Sequence, residues 1–186
     1  MDFIKRGIAA IFDFLQGIVV FLAVLVMIYL FIMSPQEING QSMFPTFHNG
    51  EYILTNKVEF KFADPHRGDV VIFKSPANKD IDYIKRVIAL PGETIKLSNS
   101  NYYINGKKLD ESRYLADTVK TYGGAFLAEN VEFTVPAGKY FVSGDNRQHS
   151  SDSREFGPIP KEDFIGKALF RYFPFERTGW IMNPSY

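Results

Sequence analysis

No cysteine occurs in this chain of 186 residues. Disulfides, thiolate metal sites and a cysteine nucleophile are therefore excluded. An excess of either charge is also missing: Lys+Arg and Asp+Glu are both 21, so the formal net charge is zero. A nucleic-acid binder needs a basic face, and nothing in this balance supplies one. Metal-ligand spacing is absent too. The histidines, His48, His66 and His149, are scattered, and no His-Glu-x-x-His occurs. There is no internal repeat, low-complexity tract or obvious linker. What the chain has instead is apolar matter: 46% of residues are hydrophobic and 16% aromatic, too many for a disordered polymer.

Much of that matter lies in one run. Phe14 to Gln36 carries no charge, and Gly17 to Met33 is apolar throughout. As a helix, Phe14 to Met33 would be about 30 Å long, the thickness of a bilayer's hydrocarbon core. A buried soluble helix rarely stays apolar on every face for this length. A cleaved leader has a shorter run ending in a small-x-small site, whereas this one ends Ile32-Met33-Ser34-Pro35-Gln36-Glu37. Lys5 and Arg6 precede the run and the next Lys or Arg is Lys57. That asymmetry places the N-terminus in the cytoplasm and the rest of the chain beyond the membrane.

From Glu51 onward, short β runs alternate with Gly, Pro, Asn and Asp. Strands are expected over 51–57, 69–74, 82–90, 94–97, 102–104, 107–109, 131–135, 139–143 and 167–173, with a hairpin turn at Asn105-Gly106 and a short helix over 112–119. The expected fold is mainly β: a single N-terminal transmembrane helix followed by a compact all-β domain. Residues 1–35 are expected to form the cytoplasmic N-terminus and anchor, and 36–186 the extracytoplasmic domain.

Three segments carry polar chemistry. Ser42 lies in a loop with Gly40 and Pro45, a turn that can present a hydroxyl and free N–H groups. Ser42 is nine residues beyond Met33, so even a fully extended chain holds it within about 30 Å of the membrane. The strand at 82–90 places Tyr83, Lys85 and Val87 on one face and Ile84, Arg86 and Ile88 on the other. A charged residue therefore stands among apolar neighbours on whichever face packs inward. An arginine there stays charged, whereas a lysine can lose its proton and serve a serine hydroxyl as general base. Alternatively, Lys85 lies at a sheet edge and reaches solvent. The third segment, Gly144 to Gly157, is dense in Asp, Arg, Ser and Asn. Turn-forming hydrogen bonds explain that composition, as does a loop that orients a lysine and locks itself with Asp–Arg pairs.

In order, Ser42-Met43-x-Pro45-Thr46, Arg67-Gly68-Asp69-Val70-Val71, Lys85-Arg86-Val87 with Pro91-Gly92, and Gly144-Asp145-Asn146-Arg147 running into Ser150-x-Asp152-Ser153-Arg154 closely resemble the bacterial type I signal peptidases. The resemblance spans Gly40 to Gly157 and implies a membrane-bound serine endopeptidase with an antiparallel β catalytic domain and, from the short segment between Lys85 and Gly144, a small accessory β region over about 96–138. Such an enzyme removes signal peptides from exported preproteins by cutting after small residues, Ala-x-Ala in type. It implies Ser42 as nucleophile, Lys85 as general base and Ser150 as the hydroxyl that orients the amine. Asp145, Asp152, Arg154 and Arg86 brace the site, and the N–H of Ser42 binds the oxyanion. Ile38, Met43, Phe47, Tyr83 and Ile84 resemble the lining of the pockets for small side chains. The substrate is expected to lie extended beside residues 36–41 and 82–85. The implied partners are preproteins and the lipid bilayer, with no cofactor, metal or nucleic acid. The implied location is the bacterial cytoplasmic membrane. One departure is Gly40, where some relatives carry a serine that completes the oxyanion hole.

Three other readings remain open at this stage. A Ser/His/Asp hydrolase would use His149 and Asp152. A Ser/Lys peptidase of narrower substrate range would carry the same motifs. A tethered β module would bind peptides without cutting them, although it would usually have lost Ser42 or Lys85.

Overall fold

Asp2–Phe31 form one continuous helix, α1, in the computed structural model, which describes residues 2–184 and 186. Its side chains from Lys5 onward are exposed on every face. An apolar helix that no protein layer covers is suited to lipid. Among the described residues it is the one helix long and apolar enough to cross a membrane. It ends two residues before the expected Met33, because the chain turns there into strand β1 (Met33–Glu37). Pro35 explains the stop: it cannot continue a helix, and it pushes Ser34 into extended backbone.

The remaining chain is β-rich and antiparallel. A large sheet runs β1, β2 (Tyr52–Asn56), β11 (Phe164–Phe173), β3 (Val70–Lys74), β4 (Asp82–Ala89), β9 (Lys139–Ser143), β10 (Ile159–Pro160), with β12 (Gly179–Trp180) on β11. A second sheet runs β7 (Lys107–Lys108), β6 (Asn101–Ile104), β5 (Thr94–Ser98), β8 (Glu132–Thr134). Two short helices, α2 (Glu59–Phe62) and α3 (Ser153–Phe156), fill connections. Asn105 and Gly106 both have positive φ, at 51° and 76°, and close the β6–β7 hairpin. Asn99 and Ser100 make the same kind of turn between β5 and β6, with φ of 49° and 63°.

β4 keeps its alternation. Ile84 packs on a cluster with Ile38, Ile53 and Ile72, while Val87 and Tyr83 join one with Phe73, Tyr140 and Val142. A third cluster, including Ile95, Leu97, Tyr102 and Phe141, ties the small sheet to the end of β4. The expected helix over 112–119 does not form: residues 110–121 are turns and irregular chain. A single helical bond, Leu115 N–H to Glu111 O at 2.9 Å, is not propagated. Asp117, Thr118 and Val119 are poor helix formers, and the Asp110 carboxylate fixes a turn by accepting from Ser112 N–H at 3.0 Å.

Candidate active site

The connection between β1 and β2 carries Ser42. Gly40 has φ of +109°, a conformation that side chains resist, and its N–H donates to Asn49 Oδ1 at 2.7 Å. Two further contacts hold the turn from the 144–147 loop: Asn146 N–H donates to Ser42 O at 3.0 Å, and Asn146 Nδ2 to Gln41 O at 3.0 Å. Thr46 Oγ1 donates to Asp145 Oδ2 at 2.6 Å. On the opposite side Arg171 Nη1 donates to Thr46 O at 2.9 Å and to Glu51 Oε2 at 2.8 Å. Among the described residues, no acceptor takes the N–H of Ser42.

Lys85, 3% exposed, points its Nζ at Ser42 Oγ at 2.7 Å and at Ile84 O at 2.9 Å. Burial pulls its pKa from 10.5 down to about 8, against the opposing pull of the Asp152 and Asp145 carboxylates. A buried amine that readily loses its proton, in contact with a hydroxyl, can deprotonate it.

The neighbouring arginines and carboxylates form closed pairs. Arg86 grips Asp145 with Nε at 2.9 Å and Nη2 at 2.7 Å, and reaches Gly68 O at 2.8 Å. Its guanidinium lies 4.1 Å from the centre of the Tyr114 ring. Asp152 takes Arg154 Nε at 2.8 Å, Arg154 Nη2 at 2.8 Å, Ser143 Oγ at 3.0 Å and Gly144 N–H at 2.9 Å. Burial pushes the Asp152 carboxyl up, but Arg154 and the Gly144 amide outweigh it and hold the group below its ordinary value. Ser150 Oγ is buried and lies close enough to the Asp152 carboxylate to help hold its pKa down. A Cβ on Gly144 would stand 2.2 Å from that oxygen and 2.4 Å from Ser42 O, so only glycine lets the two strands of the site meet.

Beside Ser42 runs an open groove of about 550 Å³. Its walls are residues 36–42 and 80–85, with Ile53 and Ile72 below and His149 and Ser151 at one end. β9 pairs with β4 only from Arg86 onward, which leaves the edge of 82–85 open to the groove. Ile38, Tyr83 and Ile84 line it, whereas Met43 and Phe47 lie in the core cluster with Ile38, Ile53 and Ile72. His149 is exposed, and the Ser42 hydroxyl is met by Lys85. No three carboxylate or imidazole groups converge on a metal position among the described residues.

Sequence reasoning missed several residues of this site. Glu111 binds Arg147 with Oε1 at 2.5 Å and Oε2 at 3.0 Å and accepts from Tyr114 OH at 2.6 Å. Arg147 in turn donates from Nε to Gly144 O at 3.0 Å. Glu51 and Arg171 were equally silent, 120 residues apart in the chain. Ile53 and Ile72 were detectable only as strand residues, since alternation does not say which core a face covers.

The profile of the family described as signal peptidase, peptidase S26, matches residues 11–173. The chain is 36% identical over 184 residues to signal peptidase IB of Staphylococcus aureus, covering 93% of this chain and 95% of that one. It is 38% identical over 176 residues to signal peptidase I of Bacillus amyloliquefaciens, covering 92% and 90%. A crystal structure of a signal peptidase I from Enterococcus faecalis aligns at a TM-score of 0.46 and 33% identity, over 56% of this chain and 97% of that one.

Proposed function

The chain belongs to the signal peptidase family, peptidase S26, and on that premise we propose that it is a membrane-anchored serine endopeptidase that removes N-terminal signal peptides from exported preproteins. Ser42 is the nucleophile and Lys85 the general base. The observation that carries this reading is the 2.7 Å contact between Lys85 Nζ and Ser42 Oγ, made by an amine whose pKa burial has drawn to about 8.

The neutral amine takes the hydroxyl proton as Ser42 Oγ attacks the carbonyl carbon of the scissile bond. The free Ser42 N–H receives the oxyanion. Collapse expels the new N-terminal amine, which takes the proton from Lys85 and leaves an acyl ester on Ser42. A water molecule then gives a proton to Lys85 and attacks the ester. The acid product leaves, and the proton returns to Ser42. Ser150 orients the amine, a role supported by its buried Oγ, which lies with Ser42 O against Gly144.

Substrate backbone adds a strand against the open edges at 36–41 and 82–85. The groove floor is filled by Ile38, Ile53 and Ile72, which supports selection for small side chains of the Ala-x-Ala kind. Helix α1 anchors the enzyme in the bacterial cytoplasmic membrane with its N-terminus inside.

The test is cleavage of a precursor with an Ala-x-Ala site by the wild type and by Ser42→Ala and Lys85→Ala. The expected result is a cut after the second alanine by the wild type and none by either variant. A Lys85→Ala protein that still cuts, together with an inactive His149→Ala, would transfer the base role to the histidine.

A further inference from the structure

Met33, two residues past the end of α1, pairs with Asn56 across β1 and β2. Lys57 therefore stands where the chain leaves the apolar helix, and its N–H donates to Ile32 O at 2.8 Å. At this corner lies a cavity of about 540 Å³, none of whose lining residues belongs to the substrate groove. Its floor is apolar: Phe31, Phe60, Phe164 and Ile165. Its rim carries Lys57, Lys61 and Lys161 against a single carboxylate, Glu162.

The three ammonium groups are held to different degrees. Lys57 Nζ leans on Tyr29 O at 3.4 Å, and Lys161 is paired with Asp64 at 2.6 Å. Lys61 is exposed and has no side-chain partner among the described residues. Beside it on α2, Phe62 is 85% exposed. Cations over an aromatic floor, opening next to the uncovered surface of α1, match one feature of a bilayer at that depth. That feature is a phosphate above an acyl chain.

We propose that this corner binds the headgroup of an anionic phospholipid, with the phosphate among Lys57, Lys61 and Lys161 and the upper acyl chain on the aromatic floor. The proposal rests on α1 being the membrane anchor. A lysine near an anionic surface changes affinity by roughly fivefold at low salt, and Glu162 and Asp64 reduce that here. A zwitterionic headgroup, which brings its own cation, gains less from the same rim.

The test uses the full chain in detergent micelles with equal amounts of dioleoyl-phosphatidylglycerol and dioleoyl-phosphatidylcholine, counting retained lipid by native mass spectrometry. The wild type should keep phosphatidylglycerol over phosphatidylcholine by about threefold or more, and about 0.5 M NaCl should erode the preference. In the K57Q/K61Q/K161Q protein the ratio should fall to about one while peptide cleavage in the same micelles is unchanged. Lys61→Gln alone, which breaks no contact, should lose part of the preference. A wild-type ratio near one, or a triple variant that keeps its ratio, overturns the proposal. Flotation with neutral phosphatidylcholine vesicles reads the anchor separately. A chain that does not float removes the anchor reading and this site with it, whereas a chain that floats with a ratio of one removes only the site.

Discussion

Two charged residues stand side by side on β4, and the structure treats them differently. Arg86, 1% exposed, cannot shed its proton and is closed by a bidentate carboxylate, Asp145. Lys85, 3% exposed, has no carboxylate in contact among the described residues and points instead at a hydroxyl. The sequence placed one of the two among apolar neighbours on whichever face packs inward, and left open whether Lys85 is buried. It did not show that both are buried, because whether a strand is covered on both faces depends on chain far away. For Lys85 the consequence is a pH profile. A base works unprotonated, so kcat/KM should fall about tenfold per unit below pH about 8. Substrate strips further water from the amine, so the acid limb of kcat should lie at lower pH than that of kcat/KM. Rates flat down to pH about 5 would defeat the lysine as base.

Asp152 tests the same field from the other side. Its charge raises the Lys85 pKa, so Asp152→Asn should move the acid limb to lower pH. The substitution also leaves the buried Arg154 without its carboxylate, which should cost about 3–5 kcal/mol in denaturant unfolding. A limb that moves upward, or does not move, would mean that Asp152 does not act on Lys85. Gly144→Ala is the steric counterpart. Its methyl group would occupy space held by Ser150 Oγ and Ser42 O, and displacing the proposed nucleophile by about 1 Å should lower kcat by about 100-fold. Steady-state kinetics on a peptide substrate would detect it.

At the scale of elements, the strands with alternating or continuous apolar runs were legible, and the short connections were not. β1 was hidden because Met33-Ser34-Pro35-Gln36-Glu37 has neither alternation nor β-branched residues; it is a strand because β2 pairs with it. The 110–121 segment was misread as partly helical because its composition permits a helix, while its actual hold is tertiary. Glu111 and Thr121 grip Arg147, and Tyr114 stacks on Arg86. This irregular segment thus braces both arginines behind the proposed site. Glu111→Ala should cost about 3–5 kcal/mol, since Arg147 is fully buried and would lose its one carboxylate contact among the described residues. It should also lower kcat/KM, because Arg147 steadies Gly144 O. Unfolding in urea and peptide cleavage, measured on one preparation, would separate a stability loss from an activity loss.

At the scale of the whole molecule, one polymer must satisfy two solvents. The charge-free stretch of α1, Phe14–Phe31, spans about 27 Å at 1.5 Å per residue, close to a hydrocarbon core. That much was legible, because an apolar helix of bilayer length needs no tertiary partner to declare itself. The candidate groove was legible only as separate motifs, because bringing residues 36–42 and 80–85 to one pocket is a long-range act. The proposed orientation follows from Lys5 and Arg6 lying on the short side of the anchor. The absence of cysteine makes it directly measurable, because any introduced thiol is the only one in the chain. Lys107 is exposed in the small sheet, and Asp2 precedes the basic pair. In intact cells a membrane-impermeant maleimide should label Lys107→Cys and spare Asp2→Cys, which should react only after lysis. The opposite pattern would place the groove in the cytoplasm, away from preproteins that have crossed, and would defeat signal-peptide removal even if Ser42 and Lys85 cut peptides in solution.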